Sequence, residues 1–330
     1  MSTNFIKRLN PLKASLLLGV ALTSVDASLL PRMGHAHGGG GTEPLEAGEF
    51  RLTPQITVEA HGGFENNIEG KPEHYGLDGL FGGLMEWGLE NGGKFSIEGA
   101  FGPVGVWGEA EHFYGAVHSD HDDHDDHDDH DDHDDDDDHE EEHAEHDTDY
   151  KREDFRGYLK ATYAPNDRLS VAVDTQPYIV TKNQGEEKKG TKNSIGAKVL
   201  YAFGEGDVNF ALGDNFKDLT DGAYVSLEHR QGWNSVGEWQ GNFTDPRVGV
   251  EFNYDLIAFK IEGGPRFFVP SSEASTSERT DFAGEIEIGR PVGENAYVFI
   301  HWQPTRSDKD GDDWGEGWQH HVGTGVTFTF

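Results

Sequence analysis

Residues 318–330 read WQHHVGTGVTFTF. Trp318, His320, Val322, Thr324, Val326, Phe328 and Phe330 share one side of an extended backbone, leaving His321, Gly323, Gly325 and Thr327 on the other. Because successive side chains of a strand point to opposite faces, this period of two specifies an amphipathic strand. The pattern recurs at the other end of the chain: Phe50, Leu52, Pro54, Ile56, Val58 and Ala60 alternate with Arg51, Thr53, Gln55, Thr57, Glu59 and His61. It recurs at 95–107, 155–163, 169–173, 195–203, 248–254, 257–267, 281–288 and 296–302, and more weakly at 79–89, 208–212 and 223–229. A closed antiparallel sheet with both ends of the chain on one side needs an even count. Parity fails between 207 and 246. Either 208–212 and 223–229 form one interrupted strand, or 236–243 supplies another. Twelve strands are expected, with fourteen as the alternative.

Alternation alone does not say which face is outside, and a soluble sandwich or jelly roll alternates too. Four further features favour a membrane. Lys7, Arg8 and Lys13 flank the short apolar stretch 15–22, the pattern of a secretory signal, with cleavage expected after Ala27 or after Ala36. No later run is long and apolar enough for a membrane helix, which leaves a barrel as the way to span. Short turns are expected at 91–93, 164–167, 204–207, 255–256 and 291–295, and longer polar stretches at 66–78, 108–149, 182–192, 270–279 and 304–316, the asymmetry of periplasmic turns and extracellular loops. Trp87, Trp107, Tyr163, Tyr178, Tyr201, Phe203, Tyr254, Phe267, Phe268 and Trp302 fall near strand ends, where interfacial girdles place rings. The chain has no cysteine, so something other than disulfides must hold the fold, and a closed hydrogen-bonded sheet is such a thing.

A final amphipathic strand ending in Thr-Phe-Thr-Phe resembles the targeting and assembly strand of the Gram-negative outer-membrane β-barrel superfamily, porin-like members included. The resemblance covers the whole mature chain. It implies an all-β fold, a closed antiparallel transmembrane β-barrel, located in the bacterial outer membrane among its lipids. The expected organisation is a signal peptide at 1–27, a flexible segment at 28–49, and a barrel at 50–330 carrying a disordered extracellular loop at 108–149.

The net charge of −36 is concentrated in that loop. Residues 118–147 hold nineteen Asp or Glu, nine His and no Lys or Arg, leaving −17 for the remainder. An acidic surface repels nucleic-acid phosphates and attracts cations. The stretch starts at His118 and Asp120 and repeats as His121, Asp122, Asp123, His124, Asp125, Asp126, His127, Asp128, Asp129, His130, Asp131, Asp132 and His133, with His139, His143 and His146 following. Imidazole nitrogen beside carboxylate oxygen suits divalent metal, zinc first, with nickel, cobalt or cupric ion also accepted. The His and Asp residues just named are the candidate metal ligands. In an extended chain residues three apart lie roughly 10 Å from one another, which predicts several weak, exchanging sites rather than one cage. A simple solvated repeat is the alternative.

Other signals are weaker. Asp308, Asp310, Asp312 and Asp313 resemble part of a calcium loop without its sixth-position Gly or twelfth-position Glu. His35 and His37 form either part of the signal or an amino-terminal metal tail. Of the adjacent His320 and His321, one at most reaches the interior. Glu59, His61, Glu98, Arg156, Lys160, Asp174, Lys198, Glu251, Glu285 and Glu287 occupy the polar strand face. Ser226, His229 and His301 carry no spacing that marks a hydrolase, so no enzyme and no organic cofactor are expected. The loop composition resembles the metal-gathering loops of zinc-import outer-membrane receptors, but 330 residues leave no room for their plug and large barrel. The expected function is a passive channel that captures divalent metal on the loop. A surface metal buffer and a porin for another solute are the rivals.

Overall fold

The structure is a computed structural model that describes residues 45–65, 74–108, 150–183, 188–203, 222–254, 256–272, 278–307 and 314–330. The expected signal segment, the amino-terminal histidines, the His/Asp loop and the 308–313 acidic stretch lie outside the described residues.

Twelve antiparallel strands follow in order: β1 Phe50–Glu65, β2 His74–Gly88, β3 Lys94–Gly108, β4 Tyr150–Asn166, β5 Leu169–Val180, β6 Gly190–Ala202, β7 Ala223–Trp233, β8 Trp239–Tyr254, β9 Ile257–Pro270, β10 Arg279–Val292, β11 Ala296–Arg306 and β12 Trp314–Thr329. Each pairs with its sequence neighbours, and β1 closes on β12 with Glu59 opposite Gly325 and His61 opposite Gly323. Closure leaves no unpaired sheet edge, the condition for strands to lie in hydrocarbon. The shortest strands have 11 residues, and about 9–11 tilted residues suffice to cross a bilayer.

Twelve is thus the count, and parity resolves where it was in doubt. Residues 239–243 begin β8, the same strand as 248–254, and β6 pairs directly with β7. Residues 208–212 lie outside the described residues. The expected short turn at 204–207 does not join two barrel strands, because the β6 to β7 connection runs from 203 to 222. Other turns sit as expected. Gly92 and Gly293 adopt φ of 74° and 68° at their tips, where a Cβ would be strained. Asn166 Oδ1 accepts the backbone N–H groups of Arg168 and Leu169 and closes the β4 to β5 turn.

The outer face is the apolar one. Phe81, Val248 and Phe282 are 58%, 66% and 58% exposed, whereas Asp78, Asp154, Asp245 and Glu287 are at most 1% exposed on the inner face. A soluble barrel has the opposite polarity. Outer-face rings gather toward both strand ends: Phe50, Trp87 and Phe95 lie side by side with tilted planes near the short turns, and Tyr75 stacks on Trp107 near the long loops. Two expected girdle residues face inward instead. Tyr178 shares the parity of Asp174 on β5, and Phe268 that of Glu262 on β9. Phe268 directly follows the outward Phe267 and so takes the other face.

Candidate functional site: the charged barrel interior

Alternation sends every second residue of each strand inward, and register decides which of them meet. Glu59, His61, Glu98, Arg156, Lys160, Asp174, Lys198, Glu251, Glu285 and Glu287 all share the inner face, as predicted. The pairs Glu98 with Lys160, Lys160 with Asp174, and Glu285 with Glu262 follow from strand register.

Near the short turns Glu86 bridges Arg51 at 2.8 Å and Lys94 at 3.0 Å across three strands. At mid-height Arg230 reaches Asp174 at 2.7 Å and Glu228 at 2.9 Å while donating to Ser194. Between β7 and β10 several pairs interlock. Arg247 binds Asp245 and Glu262, each at 2.6 Å, and Arg266 binds Asp245 at 2.9 Å. Tyr224 donates its hydroxyl to Glu262 at 2.6 Å, and Lys260 meets Glu285 at 3.1 Å. Gly249 lets Tyr224 lie flat, since a methyl there would be 2.4 Å from the ring. Inward-facing Lys160, Gln176 and Gln303 are exposed, so water reaches the interior beside these pairs.

The sector from β11 through β12 and β1 to β2 is built differently. β12 contains no Lys or Arg, and Arg306 of β11 has outward parity. Here His321 stacks between His61 and His301, with ring centres 5.2 and 5.5 Å apart. Asp78 lies 3.4 Å from His61 Nε2 and also pairs with Arg156 at 2.7 Å. Glu59 Oε1 stands 3.7 Å from His301 Nε2. Of the adjacent histidines it is His321 that faces the lumen; His320 faces out and accepts the Trp302 indole N–H at 3.2 Å. Ser226 and His301 face inward, whereas His229 is exposed on the outer face against Thr244. These three residues build no joint nucleophilic site.

Sequence reading missed Asp78, Arg230, Asp245, Arg247, Lys260 and Glu262. Extending the parity of neighbouring segments would have found Arg230 and Asp245. Among the described residues, no three His, Asp or Glu converge on a metal position. The expected ligands His118 to His146 lie outside them.

A closed twelve-strand barrel, apolar outside and charged within, is a transmembrane β-barrel of the outer-membrane type. Residues 214–330 match the family described as "Cyanophage outer membrane protein like beta barrel domain". No curated protein matches the sequence. Among solved structures, the NanC porin is 10% identical, covering 83% of this chain and 100% of its own, with a TM-score of 0.40. The translocator domain of the autotransporter NalP from Neisseria meningitidis is 10% identical over 96% of both chains, with a TM-score of 0.42. The anion-selective porin from Comamonas acidovorans is 10% identical, covering 86% of this chain and 99% of its own, with a TM-score of 0.33.

Proposed function

We propose that the protein is a passive, non-enzymatic outer-membrane channel whose His/Asp-rich stretch at 118–147 gathers divalent metal, zinc foremost, and feeds it to the barrel mouth. The observation that carries the reading is a wetted interior lined with charge, continuous in sequence with that stretch: β3 ends at Gly108 and β4 begins at Tyr150. Its negative field concentrates cations at the mouth before any ligand closes on them, and carboxylates at Glu59, Glu98 and Asp174 line the path within. Passage needs only exchange from weak site to weak site. No energised plug is required.

Conductance in a planar bilayer, with and without zinc, tests this. The expected result is open channels whose cation selectivity and zinc response weaken when the nine loop histidines are changed to Asn. The density of ion pairs across β7 to β10 favours one second reading, a sealed barrel that holds metal at the surface without transport. Absence of conductance with zinc still bound would decide for it.

A further inference from the structure

We propose that a second copy of this chain docks on the outer wall formed by β5 to β8, through a patch of neutral polar side chains set between the aromatic girdles. This self-association is independent of the channel reading.

Outward residues of a membrane barrel meet hydrocarbon over a band about 25 Å tall. A strand gains roughly 2.5 Å of height per residue, from a rise of about 3.3 Å and a tilt near 40°. The β1 to β4 wall meets that demand. On β2 every outward residue from Trp87 to Tyr75 is apolar, aromatic or glycine, and on β3 the same holds from Phe95 to Trp107, which gives roughly 30 Å on each strand. On β7 the apolar outward run is Ala223, Val225 and Leu227, and it covers only about 10 Å.

Beyond that run stand His229 and Gln231, with Thr244 and Asn242 opposite them on β8. Thr175 and Asn193 continue the patch across β5 and β6. Val225 pairs with Tyr201 of the short-turn girdle, and Trp233 pairs with Trp239 at the head of the next hairpin. The polar residues therefore lie between two belts of rings.

Lipid cannot satisfy these groups. His229 Nδ1 meets the Thr244 hydroxyl at 3.0 Å, and the Thr175 hydroxyl donates to Asn193 at 2.8 Å. The side-chain amides of Gln231 and Asn242 make no hydrogen bond among the described residues, and Gln231 is exposed. An amide without a partner in hydrocarbon is costly, and hydrogen bonds between neutral polar side chains draw membrane-embedded surfaces together.

A second copy is the occupant that fits. Copies of one barrel enter the membrane the same way round, so an axis relating them runs along the membrane normal. Each residue then meets the partner's residues of the same depth. Amides face amides, and each both donates and accepts. None of the outward residues of β5 to β8 is Lys, Arg, Asp or Glu, so the wall offers a charged lipid headgroup no counter-charge.

The full chain has no cysteine, which makes single-cysteine cross-linking clean. Gln231→Cys and, on the β1 to β4 wall, Phe81→Cys are treated in membranes with a bis-maleimide. A covalent pair is expected from Gln231→Cys and none from Phe81→Cys. Native mass spectrometry of the detergent-purified chain should give more than one copy per particle. Gln231→Leu combined with Asn242→Leu should raise the dissociation constant of the copies by more than about tenfold, with heat-modifiable electrophoretic mobility reporting that the barrel is still closed. A particle holding one copy, with lipid or another protein on the wall instead, overturns the proposal. So does an assembly that Gln231→Cys fails to capture, that Phe81→Cys captures equally, or that the double Leu variant leaves unchanged.

Discussion

Asp245, Glu262 and Glu285, between β8 and β10, each meet a guanidinium or ammonium within 3.1 Å, whereas Glu59, on the seam of β1 and β12, faces an imidazole at 3.7 Å. The first wall is held by groups that keep their charge across the whole physiological pH range. At the seam Glu59 faces an imidazole, a type of group whose charge generally depends on the proton concentration, and Asp78 keeps a guanidinium, that of Arg156. One wall braces the barrel.

Removing a brace should produce the largest effect. Arg247→Ala removes the guanidinium that Asp245 and Glu262 share, leaving Asp245 with Arg266 and Glu262 with Tyr224, and unfolding in denaturant should show a loss of about 1.5–3 kcal/mol. An equal loss from His301→Asn would erase the distinction between the walls. Gly249→Ala crowds a methyl against the buried Tyr224 ring, and repacking should cost about 1–3 kcal/mol by the same assay. Tyr224→Phe removes only the hydroxyl bonded to Glu262 and should cost about 1 kcal/mol. The smallest energetic effect concerns the histidine sector, and it is read in permeation. Acidification from pH 8 to pH 5.5 crosses the range in which imidazole generally takes up a proton. Protonation adds positive charge to the lumen, so cation selectivity, measured by reversal potential, should fall as pH falls. With His61, His301 and His321 all changed to Asn, the fall should flatten.

Fold and site were not equally legible in the sequence. Each strand announces itself locally, because alternation over ten residues is a property of those residues alone. The polar faces of Glu59, Glu98 and Asp174 followed directly. Who meets whom across strands is a property of register, and no local pattern carries it: His61 and His321 stand 260 positions apart in sequence and stack only because β1 pairs with β12. Tyr178 and Phe268 were misplaced for a related reason. Tyr178 lies beyond the segment recognised in its strand, and Phe268 directly follows the outward Phe267, so alternation itself turns it inward. The turn expected at 204–207 rested on Gly and Asp content, which marks a bend without saying whether a barrel strand follows.

The pairing of β1 with β12 also sets an order of events. Arg247, Asp245, Glu262 and Lys260 all lie on β8 and β9, which are neighbours in sequence and in the sheet. The imidazole stack has no such autonomy: His61 arrives with the first strand and His301 and His321 with the last two. Closing the seam is therefore what brings the three rings together.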